Sequence, residues 1–546
     1  MKPSELKSIL TAHENYWESQ KKQLLRYKAV YEMDFWDEEL TFDNQIKIQT
    51  NDGYGYVESY QASLFAKNPA VILKNGVQGK GDSVKATKIV NNFLIQARAE
   101  MENSSRMAII YPMSFIKLVP SDNEDLFDKV LPVAVPPWEI IVDRDAPRWD
   151  QQRFVGHIYW ETIEEAQKRF NTSFKSLGEP IKHFFDDQKQ LQDEDKGAVA
   201  EAVSPMFQYV RIVELYDIVN DKLYWYSPSK EEKWLDKEDF IPFRTHSDKP
   251  SVPIIPFYYN RIPDRPMDGY SSLKRIYDQL YEMNVIRSFQ ANAVRKASRQ
   301  WLVKKGAISS DKMAQVTSGI DGLFIEVETD EALDGLIRPI PHQPVSMEVS
   351  RYYQEINDDK SKGSVVAPFT RGEVTKATAT EIAALAAYTS SEVGRMARER
   401  DAAIEDLARK YLCMLSVFLD ENSKPAMVVL DNKAEVVTAK DTMGDFHIFA
   451  ADQASTPMSE AVTQQRLLSN VPVLQALGVP PREILKEIVR SLGLPESFLA
   501  EQPPPVEGAL PGQDNQPKLP PDTQGIINNP SVANVANVLP GGQGGS

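Results

Sequence analysis

The stretch from Val345 to Asp420 constrains this chain more tightly than any other part of it. It reads as an acidic helix, a loop punctuated by Gly and Thr, and then a very long helix. The loop sequence KGSVVAPFTRGEVTKAT sets Gly363, Pro368 and Gly372 close together, so no regular element runs through it. Thr378 precedes Glu381 at capping-box spacing, in which each side chain satisfies a free backbone N–H of the other. From there Ile382, Leu385, Thr389, Val393, Met396, Arg400, Ile404, Leu407, Tyr411, Met414 and Phe418 recur at helical steps, giving one mostly apolar face. Roughly 40 residues at about 1.5 Å each make about 60 Å of helix, too long for the core of a small domain. Ser390, Ser391 and Gly394 lie mid-helix, where a kink is expected. The same pattern fits a coiled-coil arm, so the rest of the chain has to arbitrate.

With 546 residues the chain has room for several domains, and 42% hydrophobic with 26% charged residues is an ordinary globular composition. A net charge of −16 argues against a protein that grips nucleic acid through an overall basic surplus, but it does not exclude one that lets DNA slide past without sticking. The single cysteine, Cys413, has no internal disulfide partner, which points to a reducing, cytoplasmic setting and to a core role for the thiol. No apolar run reaches the roughly 18 residues of a membrane span. The opening MKPSELKSIL lacks a signal-peptide layout, so a soluble protein is expected.

In chain order, Ser4 to about Trp36 reads as a helix with Trp17, Leu24, Tyr27 and Tyr31 near one face. A second helix, VESYQASLFA, ends at Asn68-Pro69 and leads into the strand AVILK. The turn GVQGKGDS mimics a phosphate loop, but Gly76 and Lys80 miss the GxxxxGK[ST] spacing, so a solvated turn before the helix SVKATKIVNNFLIQARAEME is the reading. The pattern then turns to strands: AIIY, SFIKLV, VLPVAV, EIIVD and FVGHIYW. A short helix capped by Thr162 and Glu165 follows, and then the acidic run FFDDQKQLQDEDKGAVAEA, read as a solvated linker. YVRIVELYDIV and KLYWYS form a hairpin about Asn220-Asp221, and PIIPFYYN closes the mixed section.

Gly269 to Leu302 is expected to be one long helix with Leu273, Tyr277, Leu280, Asn284, Ile286, Phe289, Ala293, Ala297 and Trp301 in a stripe. Residues 303–344 read as a compact insertion between helices, made of strand WLVKK, short helix SSDKMAQVTSG, strand GLFIEVE and strand GLIRPI. After the long helix, PAMVVL and FHIFAA return to β character, Thr456-Pro457 opens a helical section to Leu499, and a Pro/Gly-rich tail expected to be disordered follows from Gln502.

Enzymatic motifs are thin. The histidines His13, His157, His183, His246, His342 and His447 are scattered, and no HExxH, Cys/His cluster, GxSxG or GxGxxG occurs. Asp143, Asp145 and Asp150 in VDRDAPRWD offer a cation cluster, although a turn after a strand accounts for them more simply. No metal and no cofactor are expected.

The order of parts resembles the portal protein of tailed double-stranded DNA bacteriophages, over nearly all of residues 1–502. VESYQASLFAKNPAVIL and VPPWEIIVDRDAP look like its wing, GYSSLKRIYDQLYEMNVIRSFQANAVRKAS like its first stem helix, and MEVSRYYQEINDD like its second; TATEI after the loop adds to the likeness. The resemblance implies an α+β, predominantly helical fold. It divides the chain into an α/β wing (1–262), stem helix 1 (263–302), a small α/β clip (303–344) and stem helix 2 (345–361). A tunnel loop (362–378), a long kinked wing helix with return strands (379–455), a helical crown (456–501) and the tail (502–546) complete it.

By the same resemblance the chain is a non-enzymatic ring subunit, twelve to a ring, at one capsid vertex of the virion, assembled in the host cytoplasm. It would conduct double-stranded DNA during packaging and ejection and contact the major capsid protein. The terminase large subunit and later the head–tail adaptor or neck protein would dock on it, without any membrane. Lys362, Arg371 and Lys376 are the loop cations available to DNA, and Asp311 and Lys312 are the clip charges available to terminase or adaptor. The rival readings are a helical ring-forming scaffold or head–tail adaptor without a DNA channel, and a hydrolase whose site is assembled from distant residues.

Overall fold

The computed structural model describes residues 1–36, 47–76, 81–123, 125–174, 184–185, 208–230, 233–297, 301–303, 337–339, 347–363, 379–419, 426–430 and 433–451. All of them belong to the first of two compact units, Met1–Thr463 and Gln464–Ser546. The described part is of mixed α/β build, about half of it helical, and every strand pairing in it is antiparallel.

Helix α1 (Pro3–Glu32) starts where Pro3 presets the first turn and where Glu5 accepts from the Lys2 backbone N–H at 2.8 Å. Leu6, Leu10, His13, Trp17, Lys21, Leu24, Tyr27 and Val30, spaced by three or four, form its buried face. Helix α2 (Asp52–Leu64) and strand β1 (Val71–Asn75) follow. Asp82 then caps α3 (Ser83–Gln96), its Oδ1 accepting from the N–H groups of Val84 and Lys85 at 3.1 Å each. That carboxylate occupies the place a phosphate would take at a helix start. Residues 77–80 of the glycine-rich turn lie outside the described residues.

The helix expected to end near Glu102 breaks at Ala97 and resumes as α4 (Arg98–Ile110). The run AIIY therefore closes a helix and is not a strand. A four-residue apolar run carries no period of its own, and here Ala108, Ile109 and Ile110 bury as the last turn of α4.

Two sheets stack beyond it. The first has order β3 (Val130–Val135), β2 (Ser114–Pro120), β9 (Ile254–Phe257). The second runs β4 (Ile140–Val142), β5 (Phe154–Thr162), β6 (Tyr209–Asp217), β7 (Lys222–Tyr226), β8 (Asp236–Glu238). The β6–β7 hairpin turns at Asp221, whose φ of 50° is a left-handed conformation that Asn and Asp tolerate. Between β5 and β6 stands α5 (Ile163–Phe170), capped by Thr162 as its spacing predicts: the hydroxyl accepts from the Glu165 N–H at 3.3 Å.

One buried cluster, including Met113, Phe115, Val135, Ile140, Val155, Ile212 and Ile254, fills the space between the two sheets. On the other face of the five-stranded sheet, Ile141, Ile158, Val213, Leu215, Tyr224 and Tyr226 meet Leu6 and Leu10 of α1. The largest core joins α1 to α4 with the long C-terminal helix. Phe184 and Phe185, expected to begin a solvated linker, are docked instead. Phe184 stacks on Trp138 at 4.5 Å between ring centroids, and Phe185 meets the same indole edge-on at 5.2 Å. The acidic residues that follow set the composition of the run, but two adjacent aromatics bury too much apolar area to stay in water.

Candidate functional site

The long section from Gly269 onward is less helical than its sequence suggests. Gly269 ends the short hairpin β10 (Arg261–Ile262) with β11 (Arg265–Gly269), where a Cβ would lie 2.5 Å from the Pro112 carbonyl oxygen. Ser271 caps a single 3-10 turn, Ser272–Arg275, and the α-helix α6 spans only Tyr277–Ala297. Trp301 and Leu302, which the sequence reading put both at the end of that helix and in the strand WLVKK, belong to β12 (Trp301–Val303). This strand pairs with β13 (Ile337–Pro339) in the register Trp301↔Pro339, Leu302↔Arg338, Val303↔Ile337. The intervening residues 304–336 lie outside the described set. The chain thus leaves α6, enters an antiparallel strand pair, and comes back along α6 as α7 (Met347–Gly363).

The two helices are joined by polar aromatic contacts. Arg287 donates to the Tyr353 hydroxyl at 3.3 Å, and the Tyr352 hydroxyl donates to Glu282 at 3.3 Å. Val349, Tyr353, Ile356 and Lys360 form the less exposed face of α7, a spacing of three and four. Lys360, only 6% exposed, pairs with Asp52 at 2.9 Å and so ties α7 to the start of α2. The outward face carries Glu348, Glu355, Asp358 and Asp359 against Arg351, a net of three negative charges. Such a face repels phosphate.

The stripe read on α6 is corrected by the structure. Asn284, Ser288 and Asn292 are buried, whereas Phe289 is 58% and Val294 64% exposed, with Val285 exposed one turn before Phe289. Asn284 Oδ1 accepts from the Thr50 N–H at 3.0 Å and its hydroxyl at 3.1 Å, and Ser288 Oγ accepts from the Ile48 N–H at 2.8 Å. These side chains lace the extended segment 48–50 along the helix, which satisfies backbone donors that no sheet takes up. The i, i+4, i+8 spacing of Asn284, Ser288 and Asn292 was visible in the sequence, but nothing local says that an extended segment far upstream uses it.

The very long helix is α8 (Ala379–Phe418), 40 residues with unbroken helical assignment through Ser390, Ser391 and Gly394. Its described side chains, from Val393 onward, sink into the subunit's own core. Tyr411 stacks on Phe93 with centroids 3.8 Å apart, Arg395 reaches Asn260 Oδ1 at 3.0 Å, and buried Arg400 donates to the Leu64 carbonyl. Ile404 and Leu407, whose face looks from sequence like a contact with a neighbouring subunit, are buried in this chain, Leu407 completely. After α8 come the hairpin β14 (Ala426–Leu430) with β15 (Lys433–Val437), a short helix α9 (Ala439–Thr442) and β16 (Phe446–Ala450). β16 closes onto β1, with Val71 opposite Ala450.

Of the residues singled out from sequence, Lys362 falls in the last turn of α7 and not in the loop, because the helix continues to Gly363. Its side chain, and Asp311, Lys312, Arg371, Lys376 and the Thr378–Glu381 cap, lie outside the described residues. The three aspartates of VDRDAPRWD are engaged by arginines. Arg153 Nη2 donates to Asp143 at 2.9 Å and approaches Asp145 at 3.8 Å, and Arg148 pairs with Asp150 at 3.0 Å. The Arg153 guanidinium holds the Asp143 carboxyl below its ordinary range. Among the described residues no group of His, Cys, Asp and Glu is arranged to hold a metal ion. Burial pushes the Cys413 thiol up to about 11, which leaves it protonated and a poor nucleophile.

No helix among the described residues is long and apolar enough to cross a membrane. No family model matches the chain, and no curated protein matches its sequence.

Proposed function

We propose that this chain is the portal subunit of a tailed double-stranded DNA bacteriophage, assembling as a closed ring at one capsid vertex. One observation carries the reading: a helix, an antiparallel strand pair at the root of an insertion, a returning helix, and then a 40-residue helix anchored in the subunit core. A ring that conducts a duplex needs helices mounted as a wall on a rigid body, and head-to-tail contacts that close on themselves make such a wall. The acidic outer face of α7 would keep DNA from sticking.

In this reading α6 and α7 are the stem and the insertion between Val303 and Ile337 is the clip. Asp311 and Lys312 then belong to the end that meets the terminase large subunit and later the head–tail adaptor. The loop between Gly363 and Ala379 presents Arg371 and Lys376 to DNA in transit, as point contacts with phosphate that carry no sequence information. Hydrolysis of ATP belongs to the motor in this scheme and not to this chain. The major capsid protein would surround the ring.

The test is a mass measurement with averaged electron images of the purified protein. The expected result is a closed ring, twelve subunits by family likeness, with a hole wide enough for duplex DNA. A ring without a through-hole would favour a scaffold or adaptor, and a stable monomer at all concentrations would sink the proposal.

A further inference from the structure

The apolar side chains described between the two stacked sheets surround a charged group. There Lys117 of β2 reaches across and meets Glu214 of β6 at 2.5 Å and His157 Nδ1 of β5 at 3.0 Å. His157 and Glu214 lie directly opposite each other in the β5–β6 ladder, and the Tyr216 hydroxyl donates to the second Glu214 oxygen. Lys117 and Glu214 are buried, and Lys117 also lies 5.4 Å over the Tyr159 ring, which stacks on His157. Lysine offers only donors, so His157 Nδ1 must accept and the ring proton sits on Nε2. The contact therefore exists only with a neutral imidazole. A protonated one would set two cations face to face, one of them the buried Lys117.

We propose that Lys117, His157 and Glu214 form a proton-operated latch between the three-stranded and five-stranded sheets, closed at neutral pH and released by acid. The charged and titratable groups around it come from every element packed there. Lys117 is on β2; Tyr159 and Glu161 are on β5 with His157; Glu214 and Tyr216 are on β6; Glu238 is on β8; Arg169 of α5 donates to the Tyr159 hydroxyl at 3.2 Å. β3, β4 and β9 contribute apolar side chains to the same layer. Burial, and secondarily the Lys117 ammonium, hold the His157 imidazole neutral well below its ordinary range, while Lys117 keeps the Glu214 carboxylate ionised against its burial. Acid therefore acts on the histidine by favouring any opening that exposes it to water. The latch is independent of the portal reading, since it concerns how two layers of one subunit stay together.

Linkage sets the size of the effect. Exposed His157 takes up a proton with a pKa of about 6.5, so between pH 7 and pH 5 the opening equilibrium rises by up to about 25-fold, the limit for a closed form that stays neutral. Hydrogen–deuterium exchange of the full chain, corrected for intrinsic exchange rates, reads this in peptides covering β4 to β8, against peptides from α3 and α8 as reference. The wild type is expected to show the increase in the sheet peptides alone. His157→Gln keeps an acceptor for Lys117 but cannot charge, and should lose that factor. His13→Gln should keep it. A pH-independent opening of the five-stranded sheet in the wild type overturns the latch even if His157→Gln does not fold. So does a wild-type pH response that persists in His157→Gln or disappears in His13→Gln.

Discussion

The described half of α8 and the pair α6–α7 are both amphipathic helical elements, yet they are covered differently. From Val393 to Phe418, α8 spends its apolar face on its own chain: Met396, Ile404, Leu407, Tyr411, Leu412, Met414 and Leu415 are all buried. On α6 the buried side is partly polar, and Val285, Phe289 and Val294 face outward; Met347 and Tyr352 at and near the start of α7 are exposed as well. A helix whose apolar residues are satisfied at home folds with its subunit. One that buries asparagine and leaves phenylalanine outside has apolar area still in water, and in the proposed portal reading the next copy in the ring would cover it.

The sharpest way to break this comparison is one pair of substitutions. Leu407→Asp places an unpaired carboxylate in a fully buried site, so it should destabilise the subunit by about 4 kcal/mol or more and leave little folded protein in a thermal melt. Phe289→Asp, on the exposed side of α6, should shift the melt of the single chain by less than about 0.5 kcal/mol and, in the proposed function, abolish the ring by mass measurement. If Leu407→Asp melted like the wild type, or Phe289→Asp assembled normally, the contrast between the two regions would fail.

Acidity should distinguish the junction of α1 with the sheets. His13, whose Nε2 lies 2.8 Å from the Trp138 carbonyl oxygen, is held down to about 4 from an ordinary 6.5, chiefly by burial. A depressed histidine stabilises the fold above its unfolded pKa and loses that contribution as pH falls from about 6.5 through 4, up to about 3 kcal/mol. Glu139, pushed up to about 7 by burial, works in the other direction. Its contribution is complete below about 4.5 and is lost as pH rises through 7. Denaturation midpoints across pH should show a shallower acid limb in His13→Gln, the remainder belonging to His157, and should lose their neutral limb in Glu139→Gln. Unchanged limbs would mean that neither group titrates where its surroundings place it.

Lys360 ties the helix pair to the body, and Lys360→Met would leave Asp52 without its ammonium partner. The expected loss is about 2 kcal/mol in a denaturant titration. A loss below about 0.5 kcal/mol would mean that α7 is held by its apolar contacts alone. Gly394→Ala should move the other way. A Cβ there meets nothing within 4 Å in this chain, so removing a mid-helix glycine should stabilise α8 by about 0.5–1 kcal/mol. A higher melt together with failed assembly would place a neighbouring copy against that glycine.

The smallest effect on stability is expected from charge reversal of Arg371 and Lys376 together, about zero by melt because exposed charges contribute little. In the proposed function the double variant should lower the DNA packaged or retained per capsid. Normal filling would take the loop off the DNA path.

Much of the fold was legible because it is local. α1, the Thr162 cap of α5, the hairpin at Asp221, and α8 with its start at Ala379 all follow from spacing, capping and turn chemistry within about one element's length. The errors fell where local signals were ambiguous. AIIY had no period, and Phe184 and Phe185 were hidden in an acidic run. The region after Gly269 was read as helix although a 3-10 turn precedes the helix start at Tyr277, while the strands read in WLVKK and GLIRPI do pair, Trp301 and Leu302 opposite residues 338–339. Of the candidate site, the order of helix, insertion, helix and long helix came from the sequence, and the cations named on the loop and insertion remain sequence expectations.

What the sequence determined by itself is the elements with a clear period, cap or turn, and which face of α1 and of the later part of α8 is apolar, since these depend on neighbours three or four residues away. Tertiary structure alone decided what each face meets. β1 closes with β16 across the chain, Asn284 and Ser288 hold the backbone of Ile48 and Thr50, and Lys117 finds Glu214 across two sheets. A buried lysine or asparagine is tolerated only when a partner satisfies it, and that partner is fixed by how distant elements pack, a relation no local period records.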